Sequence, residues 1–309
     1  MPPSRIAPNG RLVYLGNAVV DLVLAVPRLP DPGEDVRARA ASWVPGGGVS
    51  TMVAAARRGM GVCYAGRTGT GPLAELIRSR LRREGIVLWG EPVAGQDNGV
   101  VICLVEPDGQ RAFVTTTGAE ALLEAEHLQG LAVGPTDLVA LTGYGLAHPV
   151  NGLALAGWLA TIPDETVVLL DPGPWVGDAG AGVLDRVLPR VDWYSCNARE
   201  ARLATGCADL AVAAERLSAG TGRVGILVRD GERGCWLRLP GTPAELVAGD
   251  WVPPDGVKDT TGAGDVHAGV FLAELAAGRG AKQAVAAANA VAAESIRHPG
   301  PGLPFSGLE

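Results

Sequence analysis

The chain has 309 residues, 47% of them hydrophobic and 19% charged, with a formal net charge of −7. That length and apolar content suit one large α/β domain, or a domain with a small appendage. The acidic balance argues against broad binding to nucleic acid or to anionic membranes, both of which need a basic face.

In chain order, Met1–Arg5 offers no apolar run of signal-peptide length, and no stretch of 18 uninterrupted apolar residues follows, so a cytoplasmic location without a membrane span is expected. Short apolar runs at Arg11–Leu15, Val62–Ala65, Leu138–Leu141, Val167–Leu170, Trp193–Ser195 and Gly225–Val228 read as strands buried on both faces. Helix-period stretches lie between and after them at Thr51–Arg58, Ala74–Glu84, Gly152–Ala160, Ala198–Ala204, Leu210–Ala219, Gly264–Ala277 and Ala281–Ile296. This alternation predicts a mostly parallel sheet flanked by helices. Two segments break the rhythm. Val19–Ala25 with Val36–Ala40, and Gly99–Val105 with Ala112–Thr116, read as strand pairs, the second joined by a turn at Glu106-Pro107-Asp108-Gly109-Gln110. Together they predict a small sheet standing off the main body as a lid.

The five scattered cysteines form no C-x-x-C pair and read as buried small residues in a reducing compartment. The histidines are isolated, so no metal cluster is expected. The only lysines are Lys258 and Lys282, and no Gly-x-x-x-x-Gly-Lys-Ser/Thr loop is present. Gly66-Arg67-Thr68-Gly69-Thr70-Gly71 lacks the downstream acidic ribose anchor of a dinucleotide site.

The most informative stretch is Asp259-Thr260-Thr261-Gly262-Ala263-Gly264-Asp265, which precedes an apolar helix pattern. Small residues at a helix start let a ligand approach the backbone, and the free N–H groups of the first turn favour an anion. An aspartate there would repel phosphate. Its position makes sense if Asp265 accepts the proton of a hydroxyl attacking that phosphate while the N–H groups of Gly262, Ala263 and Gly264 steady the transferred charge. Asn197 and Glu200, three apart on a helix, share a face on which an amide and a carboxylate can hold waters of a phosphate-bound Mg²⁺.

With these residues the chain resembles the PfkB, or ribokinase-like, carbohydrate kinase family along nearly its whole length. The resemblance rests on Gly16-Asn17-Ala18-Val19-Val20-Asp21, Leu29-Pro30-Asp31-Pro32-Gly33-Glu34, Pro45-Gly46-Gly47-Gly48, Asn98-Gly99-Val100, Thr117-Gly118-Ala119, Asn197-Ala198-Arg199-Glu200, Gly231-Glu232-Arg233-Gly234 and the motif ending at Asp265. It implies a ribokinase-like α/β fold, Rossmann-like, with a β lid. The core would take residues 1–17, 43–95 and 119–309, and the lid residues 18–42 and 96–118. It further implies MgATP beside Arg229, Gly231, Gly234, Thr261, Gly264 and Asn289, and a sugar-like acceptor beside Asp21, Gly47, Gly48 and Asn98. Either Ser50 or Thr51 stands where the family places a sugar-binding asparagine, and His267 where it places an aromatic residue. A monovalent cation such as K⁺ could sit among Asp259, Thr261 and Gly300, and a homodimer through the lid fits the family. A nucleoside is the main rival acceptor, phosphosugars stay open because Arg37, Arg39 and Arg111 could bind them, and a non-catalytic sugar- or nucleotide-binding regulator is the rival of another class.

Overall fold

In the computed structural model, residues 10–107, 110–180, 182–219, 225–298, 300 and 302–304 are described. Met1–Arg5, and Asp108 and Gly109 at the tip of the expected turn, lie outside them. The apolar runs form strands as expected, and their side chains divide by the period of two. From β1 (Leu12–Tyr14), Leu12 and Tyr14 enter one core while Val13 enters the other.

From β1 the chain leaves for β2 (Ala18–Ala25) and β3 (Ala40–Gly47), then returns through α1 (Val49–Arg57) to β4 (Val62–Tyr64), α2 (Pro72–Arg83) and β5 (Val87–Leu88). A second excursion, β6 (Val100–Val105) and β7 (Arg111–Thr115), precedes β8 (Leu138–Thr142), α3 (Gly143–Ala147), α4 (Pro149–Leu159), β9 (Val167–Asp171) and α5 (Val183–Val187). The C-terminal half runs β10 (Trp193–Asn197), α6 (Ala198–Thr205), α7 (Leu210–Ala219), β11 (Gly225–Arg229), β12 (Gly234–Arg238), β13 (Glu245–Ala248), α8 (Ala263–Ala276) and α9 (Ala281–Ser295).

Among the described residues, nine strands form the main sheet in the order β13-β12-β11-β10-β9-β8-β1-β4-β5. From β5 to β11 the neighbours are parallel; β12 and β13 close one edge antiparallel. Helices α1, α2, α8 and α9 cover one face, and α4 to α7 the other. This is the ribokinase-like architecture, with the smaller sheet β3-β2-β6-β7 beside it.

The second lid strand differs from the expectation. Residues 36–39 are not strand; β3 begins at Ala40 and runs to Gly47, pairing Ala18 with Gly47 through Ala25 with Ala40. Eight residues of β2 need eight partners, and these are found nearer α1, while the charge-rich stretch 34–39 stays outside the ladder. Also unforeseen were β5, β12, β13, α3 and α5.

Candidate active site

Ligands of parallel α/β sheets collect outside the carboxyl ends of the strands, and here four adjacent ends carry polar side chains. Thr142 of β8 lies level with Asp171 of β9, and Asn197 of β10 level with Arg229 of β11. Arg229 Nη1 bonds Asp171 Oδ2 at 3.0 Å and donates to Ser195 Oγ at 2.5 Å. Asn197 and Glu200 form a reciprocal capping box on α6: Glu200 N donates to Asn197 Oδ1 at 2.8 Å, and Asn197 N to Glu200 Oε2 at 2.9 Å. That exchange uses one oxygen of each side chain and not the Asn197 amide nitrogen or Glu200 Oε1.

The start of α8 faces these strand ends. Gly262 caps the helix in the left-handed region at φ 75°, where a side chain would be strained. Ala263 N donates to Thr260 O at 3.4 Å and Val266 N to Gly262 O at 2.9 Å. The N–H groups of Gly264 and Asp265 fall between them as orphan donors of the first turn. Asp265 follows at once, and Thr51 Oγ1 of α1 donates to its Oδ1 at 3.3 Å. The approach depends on Gly269, one turn on, whose missing Cβ would otherwise strike the Thr51 carbonyl.

Two cavities meet at this helix start. One, of about 510 Å³, is lined by Asn197, Arg229, Gly231, Gly234, Ala263, Gly264, His267 and Asn289, among others. The other, of about 490 Å³, lies under the small sheet and is lined by Asp21, Gly47, Gly48, Thr261 and Asp265, together with Tyr14, Phe113, Tyr144 and Trp175. Among the described residues, no Lys or Arg lines it. Burial, with Asp171 and Asp21 nearby, pushes the Asp265 carboxyl up to about 7; Arg229 and the Thr51 hydrogen bond oppose the shift. Asp21 is likewise pushed up to about 7, by burial and by Asp259. Glu200 is raised by burial and Asp171. His267 is pushed down to about 3 by burial and Arg229, so it is neutral.

The other expected site residues divide clearly. Thr51 reaches Asp265, whereas Ser50 faces Gly262, Gly302 and a separate, largely apolar cavity that Gly300 also lines. Asn98 is 4% exposed and does not line the acceptor-side cavity. Its amide is committed to the backbone, accepting from Gly69 N and donating to the Ala18 and Arg67 carbonyls. It braces the root of the small sheet. Asn289 lines the first cavity, but its amide joins His267 to the Val247 and Ala248 carbonyls. Asp259 Oδ1 accepts from Thr261 N at 2.8 Å, and the Thr261 carbonyl accepts from Gly302 N at 3.0 Å.

A family model described as "pfkB family carbohydrate kinase" matches residues 9–306. The chain belongs to that family. This carbohydrate kinase is 34% identical over 302 residues to an uncharacterized sugar kinase, YegV, of Escherichia coli K12, covering 94% of this chain and 89% of the relative. Among solved structures, adenosine kinase from Sinorhizobium meliloti superposes with a TM-score of 0.79 at 21% identity, covering 96% of this chain and 97% of that one. Arabidopsis thaliana ribokinase, solved with ribose and ATP, gives 0.73 at 23% identity, covering 96% and 95%.

Three features of the kinase escaped the sequence reading. Asp171 carried a signal, a charge at the carboxyl end of a buried strand. Tyr144 and Trp175, whose rings meet edge-on at 5.1 Å, follow β8 and β9 in the same way. Arg111, one of three arginines left open as ligands of an anionic acceptor, crosses from β7 to the helix-start motif, bonding Thr260 Oγ1, Thr261 Oγ1 at 2.5 Å and Asp259 Oδ1 at 3.5 Å.

Proposed function

We propose that this carbohydrate kinase transfers the γ-phosphoryl group of MgATP to a hydroxyl of a neutral sugar or nucleoside, with Asp265 as general base. The observation that carries the reading is the position of Asp265. It stands on the cavity that Asp21 lines, one residue from the Gly264 that lines the other cavity. A carboxyl poised near 7 is matched to taking a proton at neutral pH. The N–H groups of the first turn of α8 face the place where the transferred phosphoryl gathers negative charge, and the helix dipole adds to them.

The first cavity suits the nucleotide. Gly231, Gly234, Gly249, Ala292 and Ala293 leave room along its walls, and Arg229 supplies positive charge at its inner end. Among the described residues, no group of three or more His, Cys, Asp or Glu side chains could hold a metal. Mg²⁺ would therefore ride on the phosphates and meet Asn197 and Glu200 through water, neutralising phosphate charge when bound. K⁺ remains part of the proposal at Asp259, Thr261 and Gly300, tested by replacing it with an inert organic cation.

The acceptor cavity presents Asp21, Asn17 and hydroxyls rather than cations, which favours a neutral polyol over a phosphosugar. Phe113, Tyr144 and Trp175 favour a nucleoside as second reading, because a planar base can stack on them. Residues 18–47, the expected 18–42 extended to the end of β3, and 96–118 act as a lid over the core formed by the rest, and Arg111 ties that lid to the phosphoryl site. The outer lid face carries Trp43, 52% exposed, and Val114, 59% exposed, beside Leu22 and Ile102, which suits a homodimer formed there. No described helix is long and apolar enough to cross a membrane; a cytoplasmic location is part of the proposal.

ADP release from MgATP, measured across pentoses, hexoses, sugar acids, sugar phosphates and nucleosides, tests the reading. Stimulation by a neutral sugar or nucleoside supports it. Stimulation by sugar phosphates alone, or by nothing despite ATP binding, overturns it.

A further inference from the structure

The expected site residues leave Tyr14 unexplained. It closes β1 in the middle of the sheet, is 2% exposed, and belongs by its ring to the hydrophobic core. Tyr14 nonetheless lines the acceptor cavity, with its hydroxyl itself buried. Two glycines make room for that hydroxyl: a Cβ at Gly48 would collide with Oη, and one at Gly16 would lie 2.6 Å from it. Gly48 is itself part of the substrate loop that follows β3.

Tyr14 Oη has no hydrogen-bond partner among the described residues. Thr51, whose hydroxyl donates to Asp265 Oδ1, is a hydrogen-bonding neighbour that favours the ionised phenol, but the contact lacks the geometry of a full hydrogen bond. A buried hydroxyl without a partner is destabilising, and native structures keep few of them. Phenylalanine would fill the same space without that penalty. Burial, with Asp265, Tyr64 and Asp171 nearby, holds the phenol well above its ordinary pKa, so it is protonated and available as a donor.

We infer that the Tyr14 hydroxyl is a specificity-determining contact of this enzyme, donating a hydrogen bond to an acceptor oxygen beside the hydroxyl that Asp265 activates. The inference rests on the proposed function and adds a substrate requirement to it. The acceptor must present an oxygen next to the one phosphorylated, on the side facing β1. Rejection of analogues follows from the same geometry, because an acceptor lacking that oxygen would leave the buried hydroxyl unpaired.

Tyr14→Phe removes only this oxygen. With the acceptor that best stimulates ADP release from the wild type, the variant should show about a three- to tenfold lower kcat/KM for the acceptor, the size of one neutral hydrogen bond. The KM for ATP should not change. The ligand-free variant should melt at the same temperature as the wild type or higher, because an unpaired group has been removed. One deoxy analogue of the acceptor should be discriminated against by the wild type and much less by the variant. The inference is overturned if acceptor kcat/KM is unaltered, if every deoxy analogue loses the same factor with both proteins, or if the ligand-free variant melts several degrees lower, which would reveal a structural bond. If no compound stimulates the wild type, the proposed function fails first, and the melting comparison still decides whether Oη is engaged within the protein.

Discussion

Asp171→Asn separates the electrostatic account of the site from a purely steric one. The charge of Asp171 raises the Asp265 carboxyl, while Arg229, paired with Asp171 at 3.0 Å, lowers it. Removing the Asp171 charge removes the repulsion and leaves the attraction of Arg229 in place. A like charge several ångströms away in an effective dielectric of about 20 is worth about 1–2 kcal/mol, or about one pH unit. Taking about one unit as the net effect moves Asp265 from about 7 to about 6. At pH 6 the ionised fraction then rises from about one tenth to about one half, so activity at pH 6 relative to pH 8 rises about fivefold. The assay is kcat/KM for the acceptor at fixed MgATP over pH 5–9, with the two proteins compared by that ratio, because absolute rates also register the loosened Arg229. An acid limb that stays in place, or moves to higher pH, refutes the reasoning.

Asp21→Asn keeps the shape of the acceptor cavity but removes a charged hydrogen-bond acceptor. KM for the acceptor should rise about 10- to 100-fold with KM for ATP unchanged, and steady-state kinetics in both substrates check it. Asp265→Asn should stabilise the ligand-free protein at high pH. Its folded value of about 7 exceeds the ordinary 3.8, so the wild type loses stability as pH rises from about 4 to about 7, and above that the loss is complete. The gain is about 1–3 kcal/mol at pH 8, allowing for access of cavity water, and vanishes near pH 4; denaturant midpoints that differ equally at both pH values would contradict it. Val114→Asp on the outer lid face should shift the protein to a monomer in sedimentation, because a charge at an apolar interface has no partner. An unchanged sedimentation coefficient would show that the lid face does not form the contact.

Much of the fold was legible because the central strands are buried on both faces and so stand out as apolar runs. The helix-start motif was legible because glycines before an apolar helix have few other uses. What stayed hidden depends on partners distant in sequence. Strand β13 is one edge of the sheet and β12 lies next to it, and the mixed sequence of Gly234–Arg238 becomes a strand only between β11 and β13. The register of β3 is set by β2 rather than by its own composition. Asn98 looks like a substrate ligand in sequence, yet three backbone groups from residues 18, 67 and 69 consume its amide. Arg111 could not be assigned from spacing, because its partners lie about 150 residues away. Tyr14 is masked by its setting, a tyrosine inside an apolar strand, and only the cleared space at Gly16 and Gly48 reveals it.

The central claim is that Asp265 takes the proton from the acceptor hydroxyl, and acceptor-stimulated ADP release by Asp265→Asn tests it most directly, with ATP binding measured alongside. The account predicts a rate lower by about two to four orders of magnitude with ATP still bound. A variant that binds ATP and turns over within tenfold of the wild type would contradict it.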